Sequence, residues 1–341
     1  MMKANTSAFL QSSLENNLDL NTIYIQITHE LRKVENLLKE MINSSNPLIN
    51  EIGNYLFRKS GKRIRPALLL LCSKLLGYKG TQDILFSALI EAIHTASLIH
   101  DDIVDNSELR RGQPTVHAKW GPNITVLLGD YLYIRTIDQA LKNSSRKILE
   151  VLTEVTTEMV EGEITEYYHS GNLALKEEQY FDIIKKKTAS LFRATCQISS
   201  LLAESNEQVE FQLAEFGLNL GMAFQIVDDL LDFTGDEDRL GKPALSDLRE
   251  GRVTLPLIFT LQEGNSHLKS KVTGYFQNKG HSEGLRNEIL EIVTKNGALK
   301  YAMAKAREFG ERSKKLILDF PASIYRDSLV LFTDFLLNRD F

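Results

Sequence analysis

Residues 94–105 read HTASLIHDDIVD, an apolar helical pattern that ends in a cluster of carboxylates. The apolar positions surround most of the helix, so we expect a buried helix from about Thr81 to Asp105. Asp101 and Asp105 are one turn apart on one face, and Asp102 is offset by about 100 degrees. A single pattern of this kind is more typical of a solvated acidic face. Here apolar residues flank the carboxylates, and the repulsion between them favours a bound cation.

A second predicted helix repeats the pattern at residues 221–232, GMAFQIVDDLLD. Gln225, Asp229 and Asp232 share one face of this helix, and Asp228 lies beside them. Carboxylate oxygens select hard cations, and Mg2+ usually binds through one or two carboxylates together with substrate phosphates. We therefore expect the two clusters to face each other and to hold a diphosphate group.

Cationic loops accompany both clusters. RRG at residues 110–112 follows the first cluster, GKP at residues 241–243 follows the second, and GKRIR at residues 61–65 precedes both. Arginine binds phosphate oxygens in pairs, and glycine allows the backbone to approach closely. A basic loop alone is usually only surface, but beside carboxylate clusters it indicates phosphate binding.

The rest of the chain predicts helices separated by loops. Helical periodicity is expected at about residues 124–141, 148–164, 180–203, 217–233 and 323–337, with further helices starting near residues 23, 255, 285 and 299. Gly77 is expected to cap a helix, and residues 106–123 and 234–254 have the composition of loops. Because no βαβ alternation or internal repeat occurs, the predicted fold class is all-α with ten or more helices. We expect a flexible polar leader at residues 1–20 and a single all-helical domain at residues 21–341.

The composition suits a large globular core, with 341 residues of which 43% are hydrophobic and 25% charged. The net charge of −5 does not suggest a nucleic-acid partner. Cys72 and Cys196 occur in apolar helical contexts, which indicates buried thiols and not a disulfide. The N-terminus lacks the features of a signal peptide, and the longest apolar run is too short to span a bilayer. We therefore expect a cytoplasmic protein.

Eight motifs occur in a fixed order between Gly61 and Leu257, and they are GKRIRP, HTASLIHDDIVD, LRRGQPTVH, GDYL, KKTASLF, GMAFQIVDDLLDF, LGKP and TLPL. The series resembles that of the trans-polyprenyl diphosphate synthases. The resemblance implies an isoprenoid-synthase-type helical bundle around a central cavity, usually a homodimer. Such an enzyme condenses isopentenyl diphosphate onto an allylic diphosphate with magnesium. The resemblance includes no transmembrane segment and is compatible with transient membrane contact during product release.

The resemblance also implies a role for each matching residue. About three magnesium ions that hold the allylic diphosphate would bind to Asp101, Asp102, Asp105, Asp228, Asp229 and Asp232. The same diphosphate would contact Arg110 and Lys242. Isopentenyl diphosphate would bind to Lys62, Arg65, His94 and Arg111, and the reacting centre would be lined by Lys187, Thr188 and Gln225. Metal and cations would stabilise the leaving diphosphate as the allylic C–O bond ionises, before the alkene attacks the carbocation and loses a proton.

Two positions depart from the family pattern. Arg252 stands where the family often has Lys, and because the charge is kept we expect its phosphate contact to persist. Glu166 stands where long-chain members often have Gln, and no prediction is attached to it. His100 and His117 are interpreted as hydrogen-bonding residues and not as ligands.

Other function classes fit the sequence less well. A terpene cyclase would share one aspartate cluster but would not need a second phosphate site such as GKRIR with LRRG. A noncatalytic subunit of a heteromeric prenyl synthase would have eroded aspartate motifs, whereas both are complete here. The catalytic subunit of a heteromeric heptaprenyl synthase stays an alternative.

Product length depends on the side chains that precede the first aspartate cluster. Ala96 and Ser97 are small, whereas short-chain members of the family have bulky aromatic residues at that level. The resemblance therefore favours a product of about C35 to C45, with octaprenyl diphosphate for quinone side chains preferred and farnesyl diphosphate as the primer. A short-chain geranylgeranyl or farnesyl diphosphate synthase is the alternative, since small residues also serve close helix packing.

Overall fold

A computed structural model of the chain describes residues 20–58, 61–110, 112–234, 245–262, 266–277 and 282–338. The described α-helices are α1 (Leu20–Tyr24), α2 (Thr28–Met41), α3 (Pro47–Leu56), α4 (Ile64–Leu75), α5 (Gln82–Val104), α6 (Val116–Trp120), α7 (Pro122–Asn143), α8 (Arg146–Tyr168), α9 (Glu177–Ile184), α10 (Ser190–Leu202), α11 (Glu207–Thr234), α12 (Ser246–Arg249), α13 (Leu255–Gln262), α14 (Ser266–Gln277), α15 (Glu283–Lys295), α16 (Ala298–Leu318) and α17 (Ile324–Leu337). A 3-10 turn at Ile25–Ile27 joins α1 to α2, and a π-helical turn at Lys185–Ala189 joins α9 to α10. The predicted all-α fold class is confirmed.

The described residues form two compact units. The first unit contains the described residues up to Thr156 together with Leu191–Gly217 and Lys314–Phe335. The second unit contains Thr157–Ser190, Leu218–Ser313 and the described residues from Leu336 onwards. The expected single domain at residues 21–341 stays a prediction, and the expected leader falls, except for Leu20, outside the described residues.

Helix α5 is the central helix of the first unit. It packs against α2, α4 and α7, as expected for a helix that is apolar on most sides. Its length and composition alone would allow it to cross a membrane, but 72% of its most apolar 18-residue window is buried inside the protein. Helix α4 contributes Leu68–Leu71, whose side chains are fully buried and each stabilise the fold by about 1.5–3 kcal/mol. The predicted helices at these positions are confirmed.

A buried ion-pair cluster fixes the turn that leads into α4. Arg63 has a positive φ of 51°, which is unusual for a residue with a side chain, and it immediately precedes the helix. Its guanidinium donates two hydrogen bonds to Glu35, at 2.5 and 3.0 Å, and one to Glu91 at 2.7 Å. Because Arg63 and Glu91 are both buried, these bonds compensate charges that water cannot reach. The cluster holds the turn that contains Lys62 and leads into the first turn of α4, where Arg65 lies.

The predicted loop at residues 106–123 has more structure than expected. Strand β1 (Leu109–Arg110) pairs in antiparallel orientation with β2 (Gln113–Pro114), and α6 follows directly. Thr115 caps α6, because its hydroxyl accepts a hydrogen bond from the Ala118 amide at 3.0 Å. These elements are too short to produce a periodic pattern, so the sequence could not predict them.

The second unit contains a close helix approach at Gly162 of α8. A Cβ atom at this position would lie 2.6 Å from the backbone nitrogen of Lys187, which belongs to the π-helical turn. Only glycine therefore allows α8 to pack this tightly against the turn. The turn interrupts a helix that was predicted to be continuous from residue 180 to 203, and π-helical turns often occur at functional sites.

The two cysteines are buried and free of disulfides, as predicted. Cys72 lies in α4 and Cys196 in α10, both within the first unit. Burial and a hydrogen bond with Cys72 raise the pKa of the Cys196 thiol well above its ordinary value. Although they are far apart in sequence, the two thiols contact each other in a part of the core that water does not reach.

Candidate active site

The first aspartate cluster lies at the C-terminal end of α5. Asp102 is only 5% exposed, and Arg110 of β1 donates a hydrogen bond from its Nε to the Asp102 Oδ1 at 2.7 Å. Burial raises the pKa of Asp102, and the Arg110 guanidinium opposes that shift. Asp101 and Asp105 are half-buried, so solvent can reach their side chains. Arg110, which was predicted to bind the allylic diphosphate, therefore contacts the Asp102 carboxylate of the cluster.

The residues predicted to bind isopentenyl diphosphate also lie in the first unit. Arg65 is buried, with its guanidinium 4.6 Å above the centre of the Phe192 ring. Lys62 is exposed, and its backbone carbonyl accepts a hydrogen bond from the Tyr24 hydroxyl at 2.9 Å. His94 is half-buried on α5, seven residues before the first aspartate of the cluster. The cation–π contact orients Arg65, and sequence reasoning did not predict it.

Two of the predicted cations, Arg111 and Lys242, fall outside the described residues. Ala96 and Ser97, the two residues predicted to set product length, lie within the part of the chain that the structure describes. Ala96 is fully buried, whereas Ser97 is half-buried and donates a hydrogen bond from its hydroxyl to the His94 carbonyl at 2.9 Å. His100, interpreted as a hydrogen-bonding residue, has its Nε2 3.2 Å from the Val126 carbonyl oxygen.

The second aspartate cluster is held by a chain of hydrogen bonds within the second unit. The Thr188 hydroxyl donates to Gln225 Oε1 at 2.8 Å, and Gln225 Nε2 donates to Asp229 Oδ1 at 2.7 Å. The other oxygen of Asp229 accepts a hydrogen bond from the Tyr180 hydroxyl at 2.6 Å. Thr188 and Gln225 were predicted to lie together, and they do. Tyr180 was not recognised, because in the sequence it is one apolar position of a helix.

Burial strongly affects the protonation of this cluster. Asp229 is 5% exposed, and burial together with the Asp247 carboxylate raises its pKa well above the ordinary value. The hydrogen bonds from Tyr180 and Gln225 oppose this shift, since they stabilise the charged form. Burial and the Asp229 carboxylate also raise the pKa of Tyr180, so its hydroxyl stays protonated and can donate.

The other two aspartates of the cluster have different surroundings. Asp232 is 2% exposed and accepts hydrogen bonds from the Ser246 hydroxyl at 2.6 Å and from the Ser246 and Asp247 backbone amides at 3.1 and 3.2 Å. These contacts tie the end of α11 to the start of α12. Asp228 is exposed. The cluster therefore combines one exposed carboxylate with two that are held by protein donors.

Lys187 and Arg252 lie in a group of ion pairs beside this cluster. Lys187 Nζ is 2.7 Å from the Glu163 carboxylate and 2.5 Å from Glu166. Arg252 contacts Glu166 at 3.4 Å, and it also pairs with Asp247 at 3.2 Å and Glu250 at 2.8 Å. Glu166, to which the sequence attached no prediction, therefore contacts both cations.

The donor chemistry of both clusters fits a hard divalent cation, because every ligand offered is a carboxylate oxygen. The accessible carboxylates are those of Asp101, Asp105 and Asp228. Within the part of the chain that the structure describes, no three His, Cys, Asp or Glu side chains converge closely enough to form a metal site. The magnesium role of all six aspartates stays a prediction.

Comparison with known proteins gives consistent matches. Residues 46–293 match the family model described as polyprenyl synthetase. The octaprenyl diphosphate synthase of Haemophilus influenzae is 35% identical over 92% of this chain and 94% of its own length. The geranylgeranyl diphosphate synthase of Saccharolobus solfataricus is 35% identical over 84% of this chain and 88% of its own. Heptaprenyl diphosphate synthase component 2 of Bacillus subtilis is 31% identical over 96% and 92%, respectively.

Among solved structures, the fold closely matches a polyprenyl synthase from Caulobacter crescentus CB15 that is complexed with calcium and isoprenyl diphosphate. The TM-score is 0.90 at 31% sequence identity, and the match covers 95% of this chain and 98% of that one. The similarity therefore extends over nearly the whole length of both chains.

Proposed function

Because the chain belongs to the polyprenyl synthetase family and is a prenyltransferase, we propose that it adds isopentenyl diphosphate repeatedly to farnesyl diphosphate and releases a long-chain all-trans polyprenyl diphosphate. We favour octaprenyl diphosphate, a precursor of quinone side chains, as the product. The observation that carries the reaction class is a pair of carboxylate clusters at the ends of apolar helices. Arg110 bonds directly to the first cluster, and Arg252 is linked to the second through Asp247. The similarity to an octaprenyl diphosphate synthase over 92% of the chain supports the product.

The reaction requires positive charge around the leaving diphosphate. We propose a dependence on magnesium, with about three ions bound through both aspartate clusters. When bound, the metal would neutralise the charge that develops on the leaving group. Asp101, Asp105 and Asp228 offer the accessible carboxylates, while Arg110 places fixed positive charge beside the buried Asp102. Arg252 pairs with Asp247, whose backbone amide donates a hydrogen bond to the buried Asp232. Arg65, oriented by the Phe192 ring, would bind the diphosphate of the second substrate.

The test is to incubate the purified chain with farnesyl and isopentenyl diphosphates and to read product length by mass spectrometry after dephosphorylation. We expect octaprenyl product with Mg2+ and none in excess chelator. Asp101→Asn and Asp228→Asn should each lower turnover by roughly three decades, because losing the neutralisation of developing charge costs several kcal/mol. Near-normal turnover in Asp101→Asn or in excess chelator would contradict the proposal.

The same assay tests the alternatives. Products of about C20 would favour a geranylgeranyl diphosphate synthase, in keeping with the similarity to the Saccharolobus solfataricus enzyme. An inactive purified chain that gains activity with a second protein would indicate the catalytic subunit of a heteromer. The similarity to heptaprenyl diphosphate synthase component 2 of Bacillus subtilis is the reason to test for a second subunit.

We further propose that the chain forms a homodimer. Leu127, Ile134 and Leu141 recur every seven residues on α7, and each is more than 60% exposed. Residues seven apart share one face of a helix, so these side chains form an apolar stripe of the kind that a second α7 could cover. Sedimentation should give a dimer that Ile134→Glu dissociates, and a monomer at micromolar concentration would refute the proposal.

A further inference from the structure

One carboxylate oxygen of Glu166 contacts two cations. Its Oε2 is 2.5 Å from Lys187 Nζ and 3.4 Å from Arg252 Nε. Because both distances are measured to the same oxygen, the two nitrogens are at most about 5.9 Å apart. Both cations are thus close enough to bind one small anionic group, and in this structure that group is the Glu166 carboxylate.

Neither cation depends on Glu166 alone for its position. Lys187 is also 2.7 Å from Glu163, and the backbone that carries it is fixed by the π-helical turn against Gly162. Arg252 also pairs with Asp247 of α12 and with Glu250, which follows that helix. Removal of the Glu166 charge would therefore leave both cations in place.

The group of ion pairs carries a net negative charge, although it contains two cations. Its two cations, Lys187 and Arg252, are surrounded by four carboxylates, and these are Glu163, Glu166, Asp247 and Glu250. A diphosphate group that binds to both cations needs the same N–H donors that Glu166 now occupies. Lys187, Arg252 and Glu166 are each 22% exposed, so solvent screens their interaction only in part.

We propose that Glu166 is an internal competitor of the substrate diphosphate. Its carboxylate occupies Lys187 and Arg252 in the substrate-free chain, and a diphosphate group must displace it to bind. Glu166 thereby limits how tightly the enzyme holds diphosphate and acts on the reaction through the two cations. This inference rests on the proposed function, which supplies a diphosphate substrate, and on the expected roles of Lys187 at the reacting centre and of Arg252 in phosphate contact.

Calorimetric titration with inorganic pyrophosphate in Mg2+ buffer tests the competition without requiring turnover. Glu166→Gln keeps the shape of the side chain and removes its charge. We expect it to bind pyrophosphate about tenfold more tightly than the native chain, because one partly screened repulsion is removed. The Michaelis constant for the allylic diphosphate should fall by a similar factor without a rise in kcat. Glu166→Asp, which restores the charge, should return the affinity towards the native value.

The matched control is Glu154→Gln, which makes the same charge change on an exposed position of α8 about 18 Å along the helix axis from Glu166. It should leave pyrophosphate affinity unchanged. Weaker binding in Glu166→Gln would assign Glu166 to holding the cations in place, which overturns the competition. Equal affinity in both variants, or no pyrophosphate binding by any of the proteins, would overturn it as well. A native chain that binds pyrophosphate but makes no polyprenyl product would instead refute the proposed function.

Discussion

Gly162→Ala tests whether the close approach of α8 to the π-helical turn positions Lys187. The added Cβ would lie 2.6 Å from the Lys187 backbone nitrogen, whereas ordinary contact begins at 3.4 Å, so the turn must move by about 0.8 Å. The obstacle is backbone, which no change of rotamer can remove. Overpacking of this kind costs about 1–3 kcal/mol, and the better helix propensity of alanine returns about 1 kcal/mol. We expect a net loss of stability of up to about 2 kcal/mol.

The effect on catalysis should be larger than the effect on stability. Lys187 is predicted to line the reacting centre, where a displacement near 1 Å costs roughly a hundredfold in rate. The kcat/KM of Gly162→Ala should therefore fall by about that factor. Steady-state kinetics and urea unfolding measure the two effects separately. Gly284→Ala on α15 is the control, because its Cβ would meet no atom within 4 Å. If Gly162→Ala keeps native kinetics and is as stable as this control, the close approach has no role in positioning Lys187.

Three other substitutions test separate parts of the structure. Arg63→Met leaves the buried Glu91 carboxylate without its guanidinium partner and should lower the free energy of unfolding by about 3–5 kcal/mol; a loss below about 1 kcal/mol in urea unfolding would contradict this. Tyr180→Phe removes a buried donor from Asp229, so the pKa of that carboxyl should rise further and half-maximal activity should need more Mg2+; an unchanged Mg2+ titration at pH 7 would show that the bond is dispensable. Ala96→Tyr places a ring about 7.5 Å before Asp101 along α5 and should shorten the product to about C15–C20 in a folded enzyme; loss of folded protein with products of native length would assign Ala96 to helix packing alone.

Periodicity predicted most of the long helices, including α5 and α11, which carry the two aspartate clusters. The apolar positions of α5 and α11 define the helix faces, and the offset between neighbouring aspartates follows from the helical repeat alone. The resemblance of their motifs to a known family also placed Thr188 and Gln225 at one reacting centre, and the structure shows a hydrogen bond between them. These features could be predicted because each depends on residues close together in the sequence or on a short motif.

Contacts between distant segments could not be predicted in the same way. Arg63 pairs with residues 28 positions away in both directions, and no sequence period connects Glu35, Arg63 and Glu91. Glu166 contacts both Lys187 and Arg252 only because α8, the π-helical turn and the loop at Arg252 come together. In the sequence it is one more polar residue of an amphipathic helix. Ion pairs of this kind depend on the tertiary structure, which patterning does not specify.

Because the thiols of Cys72 and Cys196 are buried, their reaction with a thiol reagent measures how often the surrounding structure opens. These are the only two cysteines in the sequence, and neither has solvent exposure. A thiol reagent added to the native protein can react only in molecules whose first unit has opened, since both sulfur atoms lie there. When reclosing is faster than labelling, the modification rate gives the free energy of that opening. Intact-mass measurement then separates molecules with no, one or two labels, so the opening of a single unit can be timed without an engineered probe.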